Sequence, residues 1–315
     1  ATVNADSNTG FNTWAIAGSG AGGVGVAGVA AIDLIGASTQ AYVTGSSIGT
    51  AAGSAASLSV TATDTTTVSN IAGAGTGGVA AGVGASAMVT KVDNTVSAYV
   101  ENSNVYVSGD VTVTALGSRD LSGTAVAVGI GGTVGISGAT GVILIGSTLP
   151  DLANNELNSG GNGTLASIDS SQAGQLPDAP TADLSQSNIN TANAASAVST
   201  VASLSPAQLN QRTSAQITGG SDYAIQAGRN ITVAATEQDQ VAIIVGQGAA
   251  GGAAIGAAVG VLDITNNVDA SLTGALAATS TAGNITISAQ AVNFNPAQHA
   301  AQVSSYQGNA GLGAL

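Results

Sequence analysis

Cysteine is absent from this 315-residue chain, which removes disulfides, thiolate metal sites and cysteine nucleophiles together. Charge is scarce as well, at 7% of residues against roughly a quarter in ordinary domains. Only four residues are basic (Lys91, Arg119, Arg212 and Arg229), they face 17 acidic ones, and the net charge is −13. Nucleic acids and anionic membrane surfaces are bound through Lys and Arg, so both are poor partners for this composition. Aromatic residues make up 3%, so the core must come from Val, Ile, Ala and Leu. Such side chains fill thin layers, which suit a stacked array better than a globule. The single histidine, His299, has no evident partner for a triad or a metal and reads as a surface or loop residue. No basic stretch followed by an apolar run opens the chain.

What is plentiful is small and apolar: 44% hydrophobic residues and 45 glycines. Disordered chains are rich in charge and poor in apolar residues, so this one is expected to fold. Its order is repetitive. A strand-like phrase recurs as ATVNA at 1–5, SLSVTA at 57–62, DVTVTA at 110–115, NITVAA at 230–235 and NITISA at 284–289. Apolar and small polar residues alternate in it, which is the pattern of a strand with one buried face. In the third copy Val111, Val113 and Ala115 should face inward, and Thr112 and Thr114 outward.

A second phrase follows at a fixed distance. Ala41-Tyr42-Val43 recurs as Ala98-Tyr99-Val100, then more weakly as Ala215-Gln216-Ile217 and Ala270-Ser271-Leu272. Val3 to Val43 and Val60 to Val100 are both 40 residues, and Val233 to Leu272 is 39. Between the phrases lies a Gly-rich apolar stretch. In the second copy Val79, Ala81, Val83, Ala85, Ala87 and Val89 fall on one face and Ala80, Gly82, Gly84, Ser86 and Met88 on the other. Both faces are small or apolar, so these strands should be buried on two sides, with turns near the Gly-Gly pairs.

The third unit breaks the spacing, because Val113 to Ile217 is 104 residues. The excess of 64 lies between Ser147 and Arg212, where Asn, Ser, Asp and Gln accumulate with Pro150, Pro177, Pro180 and Pro206. Proline lacks the N–H of a central ladder, so this segment reads as a surface excursion. Within it, Asn188 to Leu204 has helix-compatible Ala spacing and Ser205-Pro206 suits a helix start.

The phrases and Gly-rich blocks together resemble the large filamentous-haemagglutinin-like exoproteins, and most of all the repeat arrays of leukotoxin-like filamentous adhesins. That resemblance implies a right-handed β-solenoid shaft, secretion through an outer-membrane partner, and a place in surface adhesion or biofilm. The expectation is therefore an all-β, solenoid-like rod of about four and a half units of 53–57 residues. Repeats would occupy 1–147 and 213–315, flanking a Pro/Ser/Asn-rich insert at 148–212. The chain would be a structural segment of a secreted or cell-surface bacterial adhesin, not an enzyme. Both ends look like cuts in a longer array, with adjoining repeats of the same parent chain as partners. The insert would be the part that meets a host-surface or matrix glycan or protein. A self-assembling extracellular filament subunit is the alternative, and a β-helix enzyme acting on polysaccharide a lesser one.

No catalytic, cofactor or metal residue is assigned. Asp33 and Asp263, near the ends of two Gly-rich blocks, read as turn residues before they read as a calcium pair. Gly-rich strings lack the Lys-Ser/Thr ending of a phosphate loop. Asn230-Ile-Thr and Asn284-Ile-Thr are glycosylation sequons by pattern, but Asn at a strand start is more simply a turn residue, and Asn162-Gly-Thr is a third sequon. Val241 to Leu262 is long and nearly uncharged enough for a membrane span, yet lacks flanking Lys/Arg and aromatic belts. Tyr42 and Tyr99 at matching positions suggest a stacked pair. Thr61-Ala-Thr63 and Thr112-Val-Thr114 would suit an ice-binding array, but in the sequence they look isolated rather than ranked.

Overall fold

The alternating phrases do form strands, and they run much further than the phrases themselves. The structure is a computed structural model describing residues 1–146 and 211–293, in which seventeen strands and no helix occur. The first unit contains β1 (Thr2–Ala21), β2 (Val24–Ile35), β3 (Ser38–Thr44) and β4 (Ser47–Ile48). The second contains β5 (Leu58–Gly78), β6 (Ala81–Val92), β7 (Thr95–Glu101) and β8 (Asn104–Val107). The third contains β9 (Val111–Gly131), β10 (Val134–Ile145), β11 (Arg212–Gly219) and β12 (Ala224–Ala227). The fourth contains β13 (Ile231–Ala250), β14 (Ala253–Ile264), β15 (Val268–Gly274) and β16 (Ala277–Ser280), and β17 (Ile285–Asn293) follows.

Each unit places one strand in each of four parallel sheets. The orders are β1-β5-β9-β13-β17, β2-β6-β10-β14, β3-β7-β11-β15 and β4-β8-β12-β16. We call these the long, glycine, tyrosine and short sheets. The architecture is all-β with parallel sheets, compatible with a β-helix or solenoid-like fold. The register matches the sequence spacing. Val3 pairs with Val60, Val60 with Val113, Val113 with Val233, and Val233 with Ile287. Ala41, Ala98, Ala215 and Ala270 form a second such row.

The recurrent phrase is about the first quarter of a strand of about 20 residues, which at ~3.3 Å per residue runs roughly 66 Å. The first half of each Gly-rich block belongs to this strand. The second half, after a two-residue turn such as Gly22-Gly23 or Gly251-Gly252, returns as the glycine sheet. Aliphatic side chains fill the space in two places. One core lies under the recurrent phrase, where Val60, Val113, Ile231 and Val233 of the long sheet meet Val96, Val100 and Ile217 of the tyrosine sheet. The other lies further along, where Val68, Leu121 and Val241 meet Met88, Val92 and Ile143 of the glycine sheet. Val111, Val113 and Ala115 are fully buried, and Thr112 and Thr114 point to the other face, as the alternation requires.

Glycine explains the tapered end beyond the second core. A Cβ at Gly82 would stand 2.2 Å from the Ile130 carbonyl oxygen, and one at Gly84 2.6 Å from that of Val128. The long and glycine sheets thus close to backbone contact there, which only a residue without a side chain permits. The expectation of strands buried on both faces holds for β6 and β10, where Val89, Val142 and Leu144 on the outward side are buried. It does not hold for β2 and β14, whose outward residues include the exposed Leu34 and Ala257.

Some expected details are corrected. Arg212, taken as the end of the insert, is the first residue of β11. Val241 to Leu262, disfavoured as a membrane span from its sequence, forms parts of β13 and β14 around a turn. Among the described residues no helix is long and apolar enough to cross a membrane. The helix-compatible stretch Asn188 to Leu204 with Ser205-Pro206, the sequon Asn162 and His299 lie outside the described residues.

Candidate functional site

Between the two aliphatic cores the long sheet carries polar residues on its inward face, and the chemistry of the molecule is concentrated there. The alternation that buries Val60 and Val68 also buries Asp64 and Thr66, and in the next strands Gly117 and Arg119, then Glu237 and Asp239. Opposite them runs the corner where the glycine sheet passes into the tyrosine sheet, at Asp93-Asn94, Gly146/Gln211 and Thr265-Asn266.

Arg119 is the centre of this seam. It is 1% exposed, its Nη1 donates to Asp239 Oδ1 at 3.3 Å, and it is ion-paired with Glu237. Asp239 also accepts from Asn266 Nδ2 at 2.7 Å, and Glu237 accepts from the Thr213 hydroxyl. On the other side Asp64 accepts from Asn94 Nδ2 at 2.6 Å and from Thr66 Oγ1 at 3.1 Å. Burial pulls the Arg119 guanidinium below its usual value, opposed by Asp239, Asp64 and Asp93. Burial likewise pushes the Asp239 carboxyl up, opposed by Arg119 and Asn266. Gly117 makes room for this arrangement, because a Cβ there would stand 2.5 Å from Glu237 Oε2.

All four basic residues are in ion pairs. Lys91 pairs with Asp93, Arg212 with Asp269 at 3.1 Å, and Arg229 with Asp110 at 2.6 Å. Asp110 is the polar starter of the third phrase. It accepts from the Asn230 backbone N–H at 3.0 Å, and Asn230 Oδ1 in turn accepts from the Asn284 N–H at 3.0 Å. The starter residue therefore satisfies the turn of the following unit, so the sequon asparagines Asn230 and Asn284 do act as turn residues. The backbone N–H of Asn230 and then the Arg229 guanidinium hold the Asp110 carboxyl below the usual carboxylate range.

The other singled-out residues separate cleanly. Tyr42 and Tyr99 stack, with ring centroids 5.1 Å apart and planes 8° from parallel. Asp33 and Asp263 are neither turn residues nor a pair. Asp33 aligns with Thr90 and Ile143 inside β2, where its Oδ1 accepts from Thr13 Oγ1 at 2.6 Å. Asp263 aligns with Leu144 and Lys91, on the opposite face of the sheet. The threonines are ranked after all. Thr2, Ser59, Thr112, Thr232 and Thr286 form one row of hydroxyls across all five long strands, about 4.8 Å apart. Thr61 and Thr114 continue it in the next row.

Chemically, the seam can hold strands together but cannot meet a substrate without opening, since Asp64, Arg119, Glu237 and Asp239 are all at most 2% exposed. Among the described residues no three His, Cys, Asp or Glu residues come together as a metal set. The class that the fold and this seam define is an all-β protein of four parallel sheets with a buried ionic centre. No family model, curated protein or solved structure matches the chain.

Sequence reasoning found Arg119 only as one of four basic residues. Its signal was available in the register. A lone Arg at a position that is inward by alternation, with two carboxylates at inward positions of the next strand-like phrase, marks a buried pair.

Proposed function

We propose that the chain is a repetitive β-solenoid rod, serving as a shaft segment of a secreted or surface-exposed bacterial adhesin. The observation that supports this best is the unbroken register of four parallel sheets, each receiving one strand per unit. Stacking of that kind builds length without limit and gives stiffness, because every unit buries its faces on its neighbours. The row of starter turns from Asp110 to Asn284, the stacked tyrosines and the glycine taper all serve stacking, and none builds an open cleft. The resemblance to filamentous-haemagglutinin-like exoproteins supplies the adhesin part of the reading. Recognition of a glycan or protein then belongs to the insert.

The test has two arms. Negative-stain electron microscopy of the purified chain should show rigid particles of one shape, about 66 Å along the long strands and roughly 24 Å across the five-strand stack, and flexible particles of varied shape would sink the solenoid reading. Antibodies to the chain should label intact bacteria that carry its gene, and labelling only after lysis would sink the surface reading.

Self-assembly into filaments is the second reading. The inward residues Ile285 and Ile287 of the fifth long strand are about half exposed, as is Phe11 in β1. Among the described residues, the terminal sheet edges beside them are open to further parallel pairing. Sedimentation velocity separates the readings, because concentration-dependent growth in length favours the filament and a constant monomer favours the shaft.

A further inference from the structure

We infer that the buried Arg119 cluster, with the Arg229–Asp110 pair, realigns the strands on either side of residues 147–210. In the first two units the chain itself sets the register. Equivalent positions lie 57 and 53 residues apart, and the glycine sheet passes to the tyrosine sheet through two residues, Gly36-Ala37 and Asp93-Asn94. In the third unit Gly146 and Gln211 take those two places, with the Gln211 side chain against Gly146, but 64 residues intervene in the sequence. A connection of that length no longer fixes how β11, and β12 and β13 after it, slide along their neighbours.

Sliding is a real hazard in these strands. A shift of two residues keeps every side chain on its own face, and the Val, Ala and Gly positions of β9 and β13 accept one another at either setting. The charges do not. With β13 shifted one way, Arg119 faces Glu237 and Asp239 enters the row of Leu121. Shifted the other way, Arg119 faces Val241 and Glu237 enters the row of Ala115. Either shift buries a carboxylate among aliphatic side chains and leaves the guanidinium short of a partner. The placement of charge matches this need. Of the three arginines in the chain, Arg119 and Arg229 bridge a strand or turn before the long connection to one after it, to Glu237 and Asp239 and to Asp110 respectively.

The chain has no cysteine, so disulfide trapping reads the register directly. Three pairs report on β9 and β13, all on the outward face of the long sheet. Thr114→Cys with Ala234→Cys is aligned, while Thr114→Cys with Thr232→Cys and with Thr236→Cys are offset by two. Thr61→Cys with Thr114→Cys is the control across β5 and β9. Each pair is placed in the full chain and in the full chain carrying R119M, E237Q, D239N and R229Q, then oxidised.

The expected result is that the four substitutions lower the aligned crosslink severalfold and raise one or both offset crosslinks, with the control unchanged. Excision of 147–210, which restores a two-residue corner, should return the neutralised chain to the aligned pair. A neutralised full chain that fails to fold while the excised one folds in register also supports the inference. Unchanged aligned crosslinks in the neutralised full chain would overturn it. So would equal misalignment or unfolding with and without residues 147–210, because the cluster would then be a general stabiliser.

Discussion

Asn102 shows how a single residue carries the path of the chain. It turns the second unit from the tyrosine sheet into the short sheet with φ of 46°, where the first and fourth units use Gly45 (57°) and Gly274 (95°). That left-handed conformation costs an ordinary L-residue roughly 1–2 kcal/mol, and Asn and Gly escape most of it. Asn102 is exposed, so its side chain adds little else. Asn102→Ala should lower unfolding free energy by about 1 kcal/mol in urea titrations, while Asn102→Gly should be nearly neutral. Asp110 works through charge instead. Its folded-state carboxyl lies below its unfolded value, so its contribution is present at neutral pH and fades as pH falls below about 4. Asp110→Asn should therefore melt below the parent at pH 7, and the two melting curves should converge on acidification. A gap that widened toward acid would contradict the assigned cause.

The elements were legible in the sequence to different depths. Alternation gave the recurrent phrase, its inward face and the row that joins Val60 to Val113, because a period of two with aliphatic and Thr residues has few other readings. The length of the long strand was hidden, because Gly-rich sequence carries no periodic contrast between faces. Its inward and outward positions in β5, such as Ala72 and Gly73, differ only by a methyl. The strand position of Asp33 was misread for a related reason. An Asp near Gly suggests a turn, whereas here Thr13 on the facing sheet satisfies it within a strand. The buried seam was illegible as a site because its members lie about 120 residues apart, and only the register unites them. The glycine taper yields its own test. Gly82→Val would push a side chain against the Ile130 backbone, so it should lower the urea midpoint by the equivalent of about 1–3 kcal/mol or more. Ile231→Ala, in the wider core, should cost about 2–5 kcal/mol through the cavity it leaves.

The whole molecule has a net charge of −13 with every basic residue already paired. Repulsion between copies should keep neighbouring molecules apart at neutral pH. Near the isoelectric point of about 4.1 that repulsion vanishes, and light scattering should report a sharp rise in association. If scattering stayed flat through that pH, charge would not be what keeps the copies separate.

Because the ladders of all four sheets bind each unit to the next, tension applied between the two chain ends would load one rung at a time. The molecule should yield like a ribbon peeled from a reel, at modest force and in separate steps. A unit of 53–57 residues pays out roughly 190 Å of slack at about 3.4 Å per residue. The step spanning Val113 to Val233, 120 residues, should be about twice as long. An optical-trap trace with one long jump among short ones would thus mark the unit whose sequence holds residues 147–210. It would also show that the stretched molecule lengthens by stages while the units not yet released keep their grip.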